Sequence, residues 1–297
     1  MSMKRMGVLA HPTRPQTAPF AEKIADTLRA RGLDVWVFTQ WEEQDVRPNV
    51  VGTDMVIAIG GDGAMLRAAR VCAIDNVPVF GINMGHLGFL TEVQQPNDWE
   101  KYVDDVLAGK YWIEQRMMVE AVVHRDDQIV GRADALNDFV LSRGNVTRMI
   151  QLDTYIDGEW TTTYNADALV ISTATGSTAY ALAAGGPILP PELRNILIVP
   201  VAPHLSLDRP IVLSEGAMVE IIVTAELHSN PILSADGALL CDLLPNDRIV
   251  IQASDLISRF VRLRERNYFY RSLLDRLEPR IPVPARRRQQ PVTSVDE

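Results

Sequence analysis

Gly60-Gly61-Asp62-Gly63 sets one carboxylate among three glycines, directly after the apolar run Met55-Val56-Ile57-Ala58-Ile59 and directly before Ala64-Met65-Leu66-Arg67-Ala68-Ala69-Arg70. The first run reads as a strand covered on both faces and the second is made of strong helix formers, so a helix starts in the turn. Unpaired N–H groups at a helix start favour an anion, and glycines let a phosphate approach the backbone closely. Asp62 would repel that phosphate unless a divalent cation bridges the two, or unless the carboxylate faces the attacking group and accepts its proton. Both alternatives point to phosphoryl transfer. The turn is neither a nucleotide P-loop, which needs a following lysine and hydroxyl, nor the G-x-G-x-x-G of a dinucleotide fold. Alone, it also fits a tight bend that binds nothing.

A second strand, Ala168-Leu169-Val170-Ile171, empties into Ser172-Thr173-Ala174-Thr175-Gly176-Ser177-Thr178-Ala179-Tyr180, which carries six hydroxyl groups in nine residues. Backbone N–H groups and short O–H donors at a helix start suit a diphosphate, and the Tyr180 ring can stack on a base or line a ribose. The competing reading is a helix cap led by Ser177, with Tyr180 in the core. Arg67 and Arg70 lie within reach of phosphate, although arginines at that spacing usually form a solvated face.

These loops need a scaffold, and the first part of the chain supplies one by alternating strands and helices. Val8-Leu9-Ala10 and Val35-Trp36-Val37-Phe38 read as strands, and Phe20, Ile24 and Leu28 recur on a helix that Gly32 closes. Val77-Pro78-Val79-Phe80 is a further strand that opens into the glycine-rich Gly81 to Leu90, and a helix from about Asn97 to Leu107 ends near Gly109. Such alternation predicts a doubly wound parallel sheet with ligands at the carboxyl ends of its strands, so Asp62 and Asn83 share one crevice. From Trp112 onward period-two segments dominate, with Asp126-Asp127, Asp157-Gly158 and Asp236-Gly237 as turn signals. The expected organisation is an N-terminal α/β domain over 1–112 and an antiparallel, sandwich-like β domain over 113–258, with one helix after Ser177. Residues 259–280 return to the first domain, and 281–297, with Arg286-Arg287-Arg288, form a disordered tail.

Composition narrows the function classes. At 297 residues and 47% hydrophobic the chain can fill two cores, and its net charge of -9 argues against a general nucleic-acid binder. No apolar run reaches the roughly 18 residues of a membrane span and no signal segment leads the chain, so a cytoplasmic location without membrane contact is expected. Cys72 and Cys241 indicate neither a disulfide framework nor a zinc site. His204 reads as a packed histidine, and no His, Cys or carboxylate set has zinc spacing.

In order along the chain, Gly60-Gly61-Asp62-Gly63, Asn83-Met84-Gly85-His86-Leu87-Gly88-Phe89-Leu90, Asn137-Asp138 and Gly176-Ser177-Thr178-Ala179-Tyr180 resemble the signatures of the NAD kinase family. Val201-Ala202-Pro203-His204-Leu205 with Arg209-Pro210, and Ser234-Ala235-Asp236-Gly237, resemble further segments of it. The resemblance runs from Gly7 to about Leu277. The first motif also occurs in diacylglycerol and sphingosine kinases and in phosphofructokinases; the second and fourth together are far more specific. What the resemblance implies is transfer of the terminal phosphate of ATP, or of polyphosphate, to the 2′-hydroxyl of the adenosine ribose of NAD, giving NADP. It implies that Asp62 activates that hydroxyl. Asp62, Gly63, Asn137, Asp138, Thr178, Ala179 and Tyr180 would line the NAD site, and Asp167 would reach the adenine of a neighbouring subunit in a homodimer or homotetramer. Gly60, Gly61, Gly63 and Arg67 would meet the donor phosphates, with magnesium or another divalent cation bridged through those phosphates and not held by protein ligands alone.

One position departs from the family pattern. Threonine usually follows Gly-Gly-Asp-Gly, and here Ala64 does. A lost polar contact is worth roughly 1 to 3 kcal/mol unless water or a backbone N–H replaces it. Because Asp62 is retained, an active enzyme is expected. The rival readings are a catalytically weak NAD or NADP sensor of the same fold and, less well matched, a lipid kinase, against which the acidic balance and the Thr178-Ala179-Tyr180 loop count.

Overall fold

The computed structural model describes residues 3–11, 13–85, 88–144, 148–224 and 231–277. The first part alternates as the pattern predicts: β1 (Arg5–Leu9), α1 (Ala18–Arg29), β2 (Asp34–Phe38), α2 (Glu43–Val50), β3 (Met55–Gly60), α3 (Asp62–Ala73), β4 (Val79–Asn83) and α4 (Trp99–Leu107). The four strands pair in parallel in the order β2-β1-β3-β4. All six residues of β3 are buried, as a strand covered by helices on both faces requires. On α1 the stripe Ala21, Ile24, Ala25 and Leu28 faces inward, and Gly32 at φ +86° turns the chain out of the helix. Helix α2 carries no apolar period that would reveal it and holds Pro48; a reciprocal capping box between Glu42 and Asp45 starts it.

The second part is built from β5 (Trp112–Arg125), β6 (Gln128–Ala135), β7 (Asp138–Arg143), β8 (Ile150–Ile156), β9 (Glu159–Ala166) and β10 (Ala168–Thr173). Then follow α5 (Tyr180–Ala183), β11 (Asn195–Val201), β12 (Ile211–Ser214), β13 (Val219–Val223), β14 (Pro231–Ala235), β15 (Ala238–Asp242), β16 (Arg248–Arg262) and α6 (Tyr268–Leu277). The helix expected after Ser177 is only the single turn α5, preceded by a 3-10 turn at Gly176–Thr178. A six-stranded antiparallel sheet, β12-β11-β10-β7-β14-β15, stacks on the antiparallel half of a ten-stranded sheet. Their shared core includes Val119, Phe139, Leu141, Ile171, Ile198 and Ile249.

β16 joins the two halves. Its first residues pair with β13 and its far end, at Phe260, pairs in parallel with Val79 of β4, so one sheet continues from the parallel strands into the antiparallel ones. The loops after β3 and β4 therefore face loops of the six-stranded sheet. Phe89 and Phe269 approach at 6.4 Å between ring centres, which seats α6 against the loop after β4. His204 is exposed, not packed, because its loop is tied through the backbone N–H to Asn165 while the ring points out. No helix among the described residues is long and apolar enough to cross a membrane. The tail expected over 281–297 lies outside the described residues, as do His86 and Leu87.

Candidate active site

Asp62 is the first residue of α3, and its carboxylate is held by the loop after β4. The Phe89 N–H donates to Oδ2 at 2.8 Å and the Leu90 N–H to Oδ1 at 2.9 Å. Gly88 makes that approach possible, since a Cβ there would stand 2.2 Å from Asp62 Oδ1. Gly60 has φ +154°, and a Cβ on it would stand 2.6 Å from the Ala64 Cβ and 3.1 Å from His11 Cδ2. Asn83, buried, folds its own loop by accepting the Gly85 N–H and donating to the Gly85 carbonyl. The first two glycine motifs are thus one structural unit, as the shared crevice requires.

A cleft of about 700 Å³ opens beside the start of α3, lined by Gly63, Leu66, Arg67, Arg70 and the Asp236-Gly237 turn. The two arginines do not form a solvated face. Arg67 lies over the Trp41 ring at 4.7 Å and bonds the Trp41 carbonyl and Glu42, and Arg70 is only 17% exposed between Glu43 and Asp236. Asp236, in the sequence a turn signal inside a family-like segment and assigned no role at the site, is the hub here. Its fully buried carboxylate accepts the N–H groups of Leu136, Asn137 and Asp138 at 3.0, 2.7 and 3.3 Å and pairs with Arg70 at 3.3 Å. Helix α3 is thereby tied to the Asn137-Asp138 segment.

Asn137 meets the hydroxyl-rich loop through its carbonyl, which accepts the Thr173 N–H at 2.9 Å and the Ser172 hydroxyl at 3.1 Å. Gly176 packs so closely that a Cβ would fall 2.1 Å from the same oxygen. The hydroxyls expected to face a diphosphate are mostly spent on the loop itself. Thr173 donates to the Leu136 carbonyl, Ser177 to Ala174 and Thr178 to Thr175, while the Thr175 hydroxyl accepts from Arg116. Tyr180 is 43% exposed and so is not the core tyrosine of the capping alternative; Thr178 and Ala179 are half-buried beside it. Asp138 is 5% exposed, and burial with the nearby Asp236 charge pushes its carboxyl up to about 7. Asp167 stands apart: it pairs with Arg143 at 3.3 Å, and it precedes β10 while Thr173 ends it, six residue steps or about 20 Å at strand rise.

Other charged residues near the site left almost no trace in the sequence. His11, at the carboxyl end of β1, has its pKa lowered by burial and by the neighbouring Arg14 and Arg67 charges. Behind the loop after β4 sits a buried cluster of Glu92, Glu114, Arg116, Arg262 and Tyr268. Burial alone would raise the Glu114 carboxyl, yet Arg116, Arg262 and the Tyr268 hydroxyl outweigh it and hold the group at about 2. The one sequence signal was Glu114 and Arg116 at i, i+2 on a single strand face. Among the described residues no three His, Cys, Asp or Glu side chains form a metal-binding group. The acids lining the cleft, Glu42, Glu43 and Asp236, are each paired with an arginine.

A carboxylate on a glycine turn at the carboxyl edge of a parallel sheet, beside an arginine-bearing cleft and facing a second loop-bearing sheet, defines a nucleotide-dependent phosphotransferase. Residues 20–111 match the ATP-NAD kinase N-terminal domain and residues 136–263 the ATP-NAD kinase C-terminal domain. The NAD kinase of Chloroflexus aggregans is 38% identical over 275 residues, covering 93% of this chain and 99% of the relative. That of Pseudomonas entomophila is 44% identical over 216 residues, 73% of each chain. Among solved structures, yeast NADH kinase complexed with NADH superposes with a TM-score of 0.81 at 25% identity, covering 93% of this chain and 88% of that one. An Archaeoglobus fulgidus NAD kinase in complex with ATP gives 0.72 at 25% identity, covering 91% and 97%. The chain belongs to the NAD kinase family.

Proposed function

We propose that this protein transfers the terminal phosphate of ATP, or of polyphosphate, to the 2′-hydroxyl of the adenosine ribose of NAD, giving NADP, with Asp62 as the group that takes the hydroxyl proton. The observation that carries the reading is the Asp62 carboxylate, fixed by two backbone N–H groups at the start of α3, next to Gly63 on the wall of an arginine-lined cleft. A carboxylate offers about four lone-pair directions, so two amide bonds leave acceptor capacity for a ribose hydroxyl. As the hydroxyl oxygen bonds to phosphorus its proton passes to Asp62, and the bridging oxygen leaves with the nucleoside diphosphate. The donor phosphates would lie against Gly60, Gly61 and Gly63 at the positive start of α3, with Arg67 and Arg70 on the cleft wall.

The acceptor would be held by Asn137, Asp138, Thr178, Ala179 and Tyr180, with Tyr180 stacking on the base. Asp167, a strand length from these groups, would serve the adenine site of a neighbouring subunit in a homodimer or homotetramer. A divalent cation fits only as a passenger on the donor phosphates, because the cleft acids are already paired; when bound it would offset the charge between those phosphates and Asp62. We divide the work between an N-terminal domain over 1–112, a β domain over 113–258 and a returning segment over 259–280, in a cytoplasmic enzyme.

The test is NADP formation by the purified protein with NAD, ATP and magnesium, beside Asp62→Asn, which keeps the shape and loses the base. Turnover in the parent and a loss of about 10²-fold or more in the variant support the reading. Tight NAD binding with no transfer from ATP or polyphosphate would replace it with the sensor.

A further inference from the structure

The buried cluster behind the loop after β4 has no part in the chemistry above, yet it touches Leu90, one of the two residues whose N–H groups hold Asp62. Arg262, fully buried at the end of β16, donates through Nε to Glu114 Oε2 at 2.8 Å and through Nη1 to the Leu90 carbonyl at 2.8 Å. The N–H of the same Leu90 meets Asp62 Oδ1 at 2.9 Å. Glu114 Oε2 also accepts Arg116 Nη2 at 2.9 Å, and the Tyr268 hydroxyl donates to Oε1 at 2.9 Å. We infer that Arg262, anchored by Glu114 and Tyr268, is a positioning residue for Asp62 that acts through the backbone on either side of Leu90.

The topology explains why an arginine so far along the chain can do this. β16 runs parallel to β4 with Phe260 against Val79, so its last residue comes level with Gly81, where the chain returning from the loop after β4 also lies, its Glu92 N–H on the Gly81 carbonyl. Buried ion pairs return little net stability against the cost of desolvating two charges, so a cluster of this size is poorly explained as glue. A planar guanidinium forked between a carboxylate and a carbonyl does restrict the carbonyl to one place. Glu114 stays ionised across the working pH range, so the anchor is constant. Leu90 carries the constraint onward: with its carbonyl held by Arg262 and its N–H on Asp62, the carboxylate has little freedom to turn.

The inference rests on Asp62 being the base, and a double-mutant cycle separates the two ideas. Arg262→Lys keeps the charge but cannot reach both Glu114 and Leu90. Turnover and the NAD dissociation constant are measured for the parent, Asp62→Asn, Arg262→Lys and the double variant, with enzyme in excess where turnover is slow. We expect Arg262→Lys to lower kcat about 10- to 100-fold while NAD binding stays within about threefold. In the Asp62→Asn background the same change should cost less than about twofold, because the group it positions is gone. Equal proportional losses in both backgrounds would make the cluster merely structural and overturn the inference. Tyr268→Phe, which removes one hydroxyl from the anchor and disturbs the fold least, must show the same non-additivity with a smaller loss, and carries the test if Arg262→Lys does not fold. Undiminished turnover in Asp62→Asn would bring down both the base and its clamp, whereas additivity brings down the clamp alone.

Discussion

Gly88→Ala is the sharpest perturbation of the site because its effect can be worked out from a single contact. The added methyl would lie 2.2 Å from Asp62 Oδ1 and 2.8 Å from its Cγ, against the 3.0 Å that real Cβ contacts essentially never undercut. A free carboxylate would swing aside at little cost. This one is pinned by the amides of the next two residues, so relief requires either breaking those bonds or shifting the loop, with a displacement of roughly 1 Å. Displacement of that size at a reacting group costs about 10²-fold in rate, about 2.7 kcal/mol in the barrier. Overpacking should also cost about 1 to 3 kcal/mol of stability, read as a lowered Tm. Initial rates of NADP formation at saturating ATP and NAD, with NAD affinity by titration, should show kcat down about 10²-fold and affinity within about threefold. A folded Gly88→Ala protein with kcat within about twofold of the parent would refute the claim that the loop after β4 aims Asp62.

Asp138 links the site to pH. Its carboxyl is raised from 3.8 to about 7 in the folded protein, so folding retains a proton there that the unfolded chain has released. The stability from this group is therefore complete below about pH 4 and is lost as pH climbs through 7, about 4 kcal/mol in all. Asp138→Asn should match the parent near pH 4 and exceed its Tm by a margin that grows up to about pH 7 and then holds; curves that run parallel from pH 4 to 8 would contradict the assignment. Ala64→Thr restores the family's hydroxyl at a position only 4% exposed beneath Gly60. It should keep or raise turnover while lowering stability by about 1 kcal/mol, and a collapse in turnover would show a turn arranged unlike the family's.

What the sequence determined by itself is the local chemistry: the all-apolar β3, the glycine turn around Asp62 and the helix formers after it leave one strand-turn-helix reading. The alternation of the first part and the Asp-Gly turns of the second were legible for the same reason, since period and left-handed backbone are properties of short segments. Asp157 and Asp236 do adopt positive φ, as do Gly158 and Gly237. Helix α2 was not legible, because a capping box and two buried valines make no period in eight residues. Only the tertiary structure decided that the Asp236 carboxylate binds three backbone amides and Arg70, that the loop hydroxyls cap their own turn, and that Arg262 reaches Leu90. These contacts join residues 99, 166 and 172 positions apart. The first two exist because the β14–β15 turn sets Asp236 against α3 and the start of β7, and the third because β16 runs from the antiparallel strands to β4. A buried charge leaves no periodic mark in a sequence, since its partner is chosen by the path of the sheet and not by its neighbours in the chain.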